Sequence, residues 1–355
     1  MEYLIEYALF LAKTATLVLA VIVVIGAIIS ASTRRRGLNV NRGSIHVTHI
    51  NDELDDMRDA MRKAIHDKAL LKQEMKEEKK REKQEEKARK RAAKQGGSSP
   101  ENLKKRFYVL DFNGDIAASD VESLREEITA VLGMATERDE VVLRLESPGG
   151  MVHSYGLASS QLARIRAANV PLTICVDKVA ASGGYMMACL ANRLVAAPFA
   201  ILGSIGVLVQ LPNFHRLLRK HDVDYETITA GEYKSTLSTF GQITQRGREK
   251  VQEDIEEMHA LFKAWVKQHR PIVDIDGIAT GETWVGLQAL ERQMIDAIMT
   301  SDELIANACN EGDVYSVRYE IRQSLSDKLG VAVHKALDRS VLALLRRMRD
   351  SSFYS

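Results

Sequence analysis

Val141-Val142-Leu143-Arg144-Leu145-Glu146-Ser147-Pro148-Gly149-Gly150 is a short apolar run that closes in a glycine-bearing turn. It reads as a strand and the loop that ends it. Upstream, Phe107-Tyr108-Val109-Leu110-Asp111-Phe112 reads the same way, with Asn113-Gly114-Asp115 as its turn. Ser119 stands three residues before Glu122, the spacing of a capping box, and predicts a helix through about Met134. Downstream, a helix with Leu157, Leu162 and Ile165 on one face is expected, then a strand over Pro171 to Val176 and the segment Asp177 to Tyr185. Strand and helix in alternation imply an α/β fold with parallel strands and right-handed crossovers. In such sheets, sites form at the C-terminal ends of strands. Met186 to Leu211 is also apolar, but Asn192, Arg193, Pro198 and Gly203-Ser204-Ile205-Gly206 interrupt it. It reads as buried helix plus strands, because buried parallel strands are apolar on both faces.

The chain has 355 residues, 45% hydrophobic and 6% aromatic, which gives a soft prior of about two domains and ample material for a core. Charged residues at 27% exclude a wholly disordered chain, and six prolines with 22 glycines and no triplet repeat exclude a collagen-like one. Cys175, Cys189 and Cys309 are too few for a disulfide framework and fit no zinc spacing, so they read as plain thiols. The net charge of +1 hides an uneven distribution. Residues 1–100 carry 20 basic and 14 acidic side chains, and His334 to Asp350 carry five and two, which leaves −8 on the block between. So acidic a middle argues against a nucleic-acid binder.

Thr14 to Thr33 is a run of 20 residues without a charge, extended by Ala8 to Ala12. Twenty helical residues span roughly 30 Å, about a bilayer core. A cleaved signal peptide is the rival reading, but it wants a positive N-terminus and a shorter run, and here Glu2 and Glu6 precede a long one. We read residues 1–36 as a retained anchor. Arg34, Arg35 and Arg36 follow the run and lean the remainder towards the cytoplasm. Residues 37–100 read as an amphipathic and charged linker. Within it Leu54, Met57, Met61 and Ile65 have helical spacing, and Lys72 to Gln95 has 17 charged residues in 24. The latter is a solvated helix, a disordered spacer or a segment drawn to anionic lipid. Gly96-Gly97-Ser98-Ser99-Pro100 marks the boundary of the compact block, 101–320.

Two loops could carry chemistry. Pro148-Gly149-Gly150 presents bare backbone N–H groups after a strand, and Gly183-Gly184 does the same at the start of a helix whose dipole favours developing negative charge. Two such groups converging would make an oxyanion hole, with Ser182 beside it as nucleophile. The residues alone also read as two tight turns with Ser182 as an ordinary N-cap, and a lone Ser-Gly-Gly says little. A nucleophilic serine needs a base. Of nine histidines only His153 is near either loop, and no Gly-x-Ser-x-Gly elbow exists. Lysine is the other option. A lysine of ordinary pKa, ~10.4, is neutral only about one part in 10³–10⁴ at pH 7, and burial lowers that pKa. Lys234, expected to follow a short apolar strand and flanked by Tyr233 and Leu237, and Lys178, closer in sequence, are both candidates.

Asp177-Lys178-Val179-Ala180-Ala181-Ser182-Gly183-Gly184-Tyr185 resembles the nucleophile segment of the S49 signal-peptide-peptidase family, and Glu146-Ser147-Pro148-Gly149-Gly150-Met151-Val152 its oxyanion loop. Gly203-Ser204-Ile205-Gly206-Val207, Gly231-Glu232-Tyr233-Lys234-Ser235 and Gly281 to Asp296, with Trp284, Gly286 and Gln288, resemble further family segments in the same order. Where members have Gly-Leu-Val-Asp, this chain has Gln293-Met294-Ile295-Asp296. The resemblance implies a Clp protease/crotonase-like α/β fold and a membrane-anchored serine endopeptidase of the bacterial inner membrane. It implies Ser182 as nucleophile, Lys234 as general base, Gly150 and Gly183 as oxyanion-hole donors, Gly149 shaping the turn, and Ser204 orienting the lysine. It implies no metal or organic cofactor, a homo-oligomeric ring, eight subunits for a single catalytic block, and apolar extended peptides such as membrane-protein fragments as substrates.

Two rivals stand beside it. A crotonase-type hydratase shares the paired-glycine oxyanion hole but adds glutamates as acid and base. A scaffold that binds membrane proteins without cutting them would tolerate loss of Ser182 or Lys234, and both are present. Residues 321–355 read as a basic amphipathic helix. Within it Val341, Leu342, Leu344 and Leu345 alternate with Lys335, Arg339, Arg346, Arg347 and Arg349, packed on the body, on a neighbouring subunit or on the membrane surface.

Overall fold

The computed structural model describes residues 43–65 and 104–320, together with residues 80, 84 and 87. The chain divides into a unit of residues 45–319, described below, and a second of 1–44 with 320–355 that lies almost wholly outside the described residues. The expected anchor over 14–33 and the basic helix over 321–355 fall outside them. Among the described residues no helix is long and apolar enough to cross a membrane.

In chain order the elements are β1 (Ser44–His49), α1 (Ile50–Ile65), β2 (Arg106–Asn113), α2 (Val121–Leu132), β3 (Glu140–Glu146), α3 (Val152–Ala167), β4 (Leu172–Val176), β5 (Val179–Ala181), α4 (Gly183–Ala188), β6 (Arg193–Ala196) and β7 (Ile201–Gly203). There follow α5 (His215–Lys220), α6 (Gln245–His269), α7 (Ile275–Ile278), β8 (Thr283–Val285), α8 (Gly286–Glu291), β9 (Ala297–Ile298), α9 (Ser301–Glu311) and β10 (Asp313–Glu320). A seven-stranded sheet has the order β1-β10-β2-β3-β4-β6-β9, and its pairs from β10 to β9 are all parallel, as the alternating pattern requires. A small second sheet, β5-β7-β8, pairs β5 parallel and β8 antiparallel to β7.

The central strands of the main sheet are buried on both sides. Along β2, Tyr108, Leu110 and Phe112 face one core with Leu124 and Ile128 of α2 and Leu162 and Ile165 of α3. Phe107 and Val109 face a second core with Val142, Val195 and Leu304, Ile305 and Ala308 of α9. All five residues of β4 are buried. Each fully buried aliphatic side chain contributes about 1.5–3 kcal/mol relative to exposure, so this double covering sets the strand order and register firmly.

Four local expectations are corrected. The Ser119–Glu122 capping box does not form: the Ser119 N–H and hydroxyl both donate to Asp115 at 2.8 Å, and α2 starts after Asp120. Leu157 is exposed. The buried stripe of α3 is Tyr155, Ala158, Ser159, Leu162 and Ile165, and a five-residue step from 157 to 162 leaves that face. No strand precedes Lys234, where residues 223–229 are irregular and exposed. Part of the stretch read as linker belongs to the folded unit, because β1 borders β10 and α1 leads away from it. Asn51 welds this junction: its amide donates to the carbonyls of Cys309 and Gly312 at 3.1 and 3.0 Å and accepts from the Val314 N–H at 2.8 Å. The helix expected from Leu54, Met57, Met61 and Ile65 is α1 itself, and the thiols are free.

The departure at Gln293 is resolved by strain. Gln293 takes φ +59, the left-handed conformation that glycine adopts without cost. Its carbonyl accepts from Arg270 Nε at 2.9 Å, and Arg270 also pairs with Asp296 at 2.8 Å. That pair, with the Arg270 side chain buried, holds the turn in place of the glycine. Burial favours the neutral Asp296 carboxyl, but Arg270 and the Leu194 N–H outweigh it and hold Asp296 below the ordinary carboxylate range.

Glu127 of α2 is the opposite case. Burial, with Asp111 and Asp120 nearby, pushes its carboxyl from 4.5 up to about 7 against the opposing pull of the Tyr319 N–H and Arg318. Oε1 accepts from Tyr319 at 2.8 Å and Oε2 has no partner among the described residues. A raised folded-state pKa means the fold holds its proton better than the unfolded chain, so stability falls as pH climbs from about 4.5 towards 7. After discounting for solvent screening, the fall is of order 2 kcal/mol. Glu127→Gln is expected to remove this part of the pH dependence and to raise the melting temperature at pH 8 more than at pH 5. Parallel wild-type and variant melting curves across that range would refute it.

Candidate active site

The site is built on β5, which threads between two partners. On one side Ser147 N–H donates to Val179 O at 2.8 Å and Ala181 N–H to Ser147 O at 3.0 Å. On the other, β5 pairs with β7 so that Ala181 lies opposite Gly203. The next residues, Ser182 and Ser204, therefore leave the same end of the pair, and both take positive φ, +50 and +52. The Ser182 N–H donates to Gly203 O at 2.8 Å, and its carbonyl accepts from Met186 N–H at 3.0 Å as α4 begins. A non-glycine residue in this region is strained by roughly 1–3 kcal/mol and is held there only by its surroundings.

The 147–150 loop presses on this turn. Gly149 has φ +88, and a Cβ there would meet Ala181 O and Ser182 Cβ at 2.7 Å and Gly183 N at 2.8 Å. Nothing larger than glycine fits. Gly183 is bare for a different reason: a Cβ would run into the Tyr155 ring. A proton-ordered chain fixes the loop. Tyr155 Oη donates to Asp115 O at 2.8 Å, so its short 2.5 Å bond with Ser147 Oγ is donated by the serine, which in turn accepts from Gly149 N–H at 3.1 Å. Burial raises the Tyr155 phenol above its ordinary pKa, against the Ser147 bond, which keeps it a donor.

Ser182, Gly183 and Gly150 line one cleft of about 340 Å³, with Val152, Tyr155, Gly156 and Ser159 of α3, Met186 of α4, Val207, and Met258, Phe262 and Trp265 of α6 among its other walls. The backbone N–H groups of Gly150 and Gly183 make no hydrogen bond among the described residues, nor does Ser182 Oγ. Trp265 Nε1 donates to Met186 O at 3.0 Å and ties α6 to α4. Among the described residues no cluster of three or more His, Cys, Asp or Glu is placed to hold a metal ion.

The candidate bases stand apart from the cleft walls. His153 is exposed. Lys178 is bonded to both Glu146 carboxylate oxygens at 3.1 and 2.8 Å, which raises its pKa and ties up its proton. Lys234 is exposed and lies in the irregular stretch before α6, with its N–H on Gly231 O at 3.3 Å. That stretch is anchored by its neighbours: Arg246 pairs with Glu232, and Arg246 and Lys250 of α6 lie over the Tyr233 ring at 5.7 and 5.8 Å. Ser204 is partly buried, with its N–H on Glu282 O at 2.6 Å. Thus Ser182, Gly149, Gly150 and Gly183 come together, Ser204 flanks Ser182 along the backbone, and Lys234 is held on a separate exposed loop. Sequence reasoning missed Ser147 and Tyr155, whose only signal was their flanking of the glycines.

Residues 2–162 match Peptidase family S49 N-terminal, and residues 164–315 match Peptidase family S49. A probable protease SohB of Haemophilus influenzae is 47% identical over 93% of this chain and 92% of that protein. A probable protease SohB of Buchnera aphidicola is 46% identical over 69% of this chain and 73% of that protein. A solved 1510-N membrane-bound stomatin-specific protease, a mutant in complex with a substrate peptide, superposes loosely, with TM-score 0.39 and 16% identity over 65% of this chain and 98% of that one. A likeness that loose says nothing about the site. The two family matches and the 47% identical relative carry the assignment: the chain belongs to peptidase family S49.

Proposed function

We propose that this protein is a membrane-anchored serine endopeptidase in which Ser182 is the nucleophile and Lys234 the general base, on a Clp protease/crotonase-like fold. The observation that carries the reading is the pair of unpartnered N–H groups, on Gly150 and Gly183, that line the same cleft as Ser182. Backbone donors of this kind stabilise the oxyanion of acyl transfer without reorganising. Lys234 Nζ takes the Ser182 Oγ proton as that oxygen bonds to the peptide carbonyl carbon. The tetrahedral intermediate collapses, the C–N bond breaks, and the same proton passes to the leaving amine. Water, deprotonated by the lysine, then attacks the acyl-serine and releases the acid.

A lysine base must shed its proton near neutral pH, which burial favours. Lys234 is exposed in the single chain, and so are Leu208, Phe214, Ile228 and Phe240 on the stretch around it. Both features support a homo-oligomeric ring in which a neighbouring copy covers this loop, with Ser204 orienting the lysine there. Substrates would be extended apolar peptides or membrane-protein fragments, reached from an anchor over 14–33 in a bacterial inner membrane. The silent-scaffold reading gains no observation of its own.

In detergent-solubilised protein, Ser182→Ala is expected to abolish cleavage of casein and apolar peptides. Lys234→Ala is expected to lower it roughly 10²–10⁴-fold, with Lys178→Ala close to wild type. Equal cleavage by wild type and Ser182→Ala would sink the assignment. Gly149→Ala, by driving a methyl into Ser182, is expected to cost at least about 10²-fold in kcat, the size of losing one oxyanion donor. Wild-type turnover in that variant would remove the loop from the mechanism. Digestion of the compact block by added protease in sealed vesicles of known orientation tests the anchor. Release of the intact block by a salt wash would contradict it.

A further inference from the structure

The cleft has an opening that the fold itself does not require. Along α3 the residues that line it are Val152, Tyr155, Gly156, Ser159 and Ser160, one stripe at helical spacing, facing Phe262 and Trp265 across the gap. Gly156 sits in the interior of that helix, where glycine costs about 1 kcal/mol relative to alanine. Gly149, Gly150, Gly183 and Gly184 are forced by contacts under 3.0 Å, but a Cβ at Gly156 would meet no atom within 4 Å. One turn further, Ser159 is 1% exposed and its Oγ has no hydrogen-bond partner among the described residues. The inner wall of the cleft thus combines a missing side chain that nothing fills with a buried hydroxyl that nothing satisfies. The missing side chain does not stabilise the chain by itself and becomes useful when something occupies the space.

We propose that Gly156 is a specificity-determining position: it leaves open the space that receives a large side chain, aromatic or long aliphatic, on the residue that supplies the scissile carbonyl. The cleft begins at Ser182 and the two free N–H groups, so the side chain next to the attacked carbonyl is the one that enters it. The apolar walls from Met186, Val207, Phe262 and Trp265 match a side chain of that class. This inference rests on the reading of Ser182 as nucleophile.

The test uses the full-length detergent-solubilised protein and peptides that differ only in that residue, Ala, Leu or Phe. Wild type is expected to favour Leu and Phe over Ala. Gly156→Leu is expected to reduce that kcat/KM ratio by at least about 10-fold, in the range by which small changes of volume in an apolar pocket discriminate. Gly156→Ala is expected to give an intermediate ratio and a melting temperature at or above wild type, and it carries the test alone if the leucine variant does not fold. A ratio unchanged in variants that still cleave overturns the proposal and leaves the peptidase reading intact. A clear fall in melting temperature for Gly156→Ala also overturns it, because the glycine would then be a packing requirement. A wild type that cleaves none of the peptides overturns the peptidase reading, and this proposal with it.

Discussion

The strained turn at Ser182 is the constraint on which the rest of the site depends. With φ 50 and ψ −117, this residue occupies a region that costs roughly 1–3 kcal/mol, and it stays there because β5 is gripped from both sides. The Ser147 strand end holds one edge, and β7, through the Gly203 carbonyl, holds the other. The double burial of the main sheet fixes where β3 ends, and so fixes Ser147. From Ser147 the chain of bonds through Tyr155 to Asp115 fixes Gly149, and Gly149 in turn abuts Ser182 and Gly183. The geometry of the candidate site is thus a consequence of strand register, carried to the surface by a short series of close contacts.

Much of the fold was legible in the sequence because its signals are strong and local. The apolar runs at 107–112, 141–145 and 171–176 become the central parallel strands, and the broken apolar stretch from Met186 becomes helix and strands up to Gly203, while Leu208, Val209 and Leu211 at its end are irregular and exposed. What failed to be legible depends on competing or distant partners. Ser119 has the spacing of a capping residue, but an aspartate four residues earlier competes for its hydroxyl and wins. Nothing in the composition of 37–65 announces a strand, because β1 is set by an asparagine that bonds residues about 260 positions away. The nucleophile loop could be singled out from its glycines, whereas the residues that hold it, Ser147 and Tyr155, look like any serine and any helical tyrosine. Gln293 shows the same limit in reverse: a position where glycine fits best is held by a neighbouring ion pair that only the folded chain brings together.

The uneven charge gains meaning against this frame. The acidic block carries Ser182 and the cleft, while the basic stretches lie at the two ends of the chain, where a membrane surface would attract them. In the proposed mechanism Lys234 is the part of the site that one chain leaves unfinished. It belongs to an exposed, apolar-rich stretch whose firm anchorage is the first turns of α6, through Arg246 and Lys250. A proposed neighbouring copy would supply the burial that lysine chemistry needs and would cover that apolar surface at the same time.

The central claim, that Ser182 is an activated nucleophile facing two backbone donors, is tested most directly by trapping the covalent intermediate. Full-length protein is treated with a reactive peptidyl ester or fluorophosphonate, digested, and the added mass located by mass spectrometry. The expected result is a single stoichiometric adduct on Ser182 that is lost when the protein is unfolded before treatment. An adduct on another residue, or labelling that survives unfolding, would contradict the account.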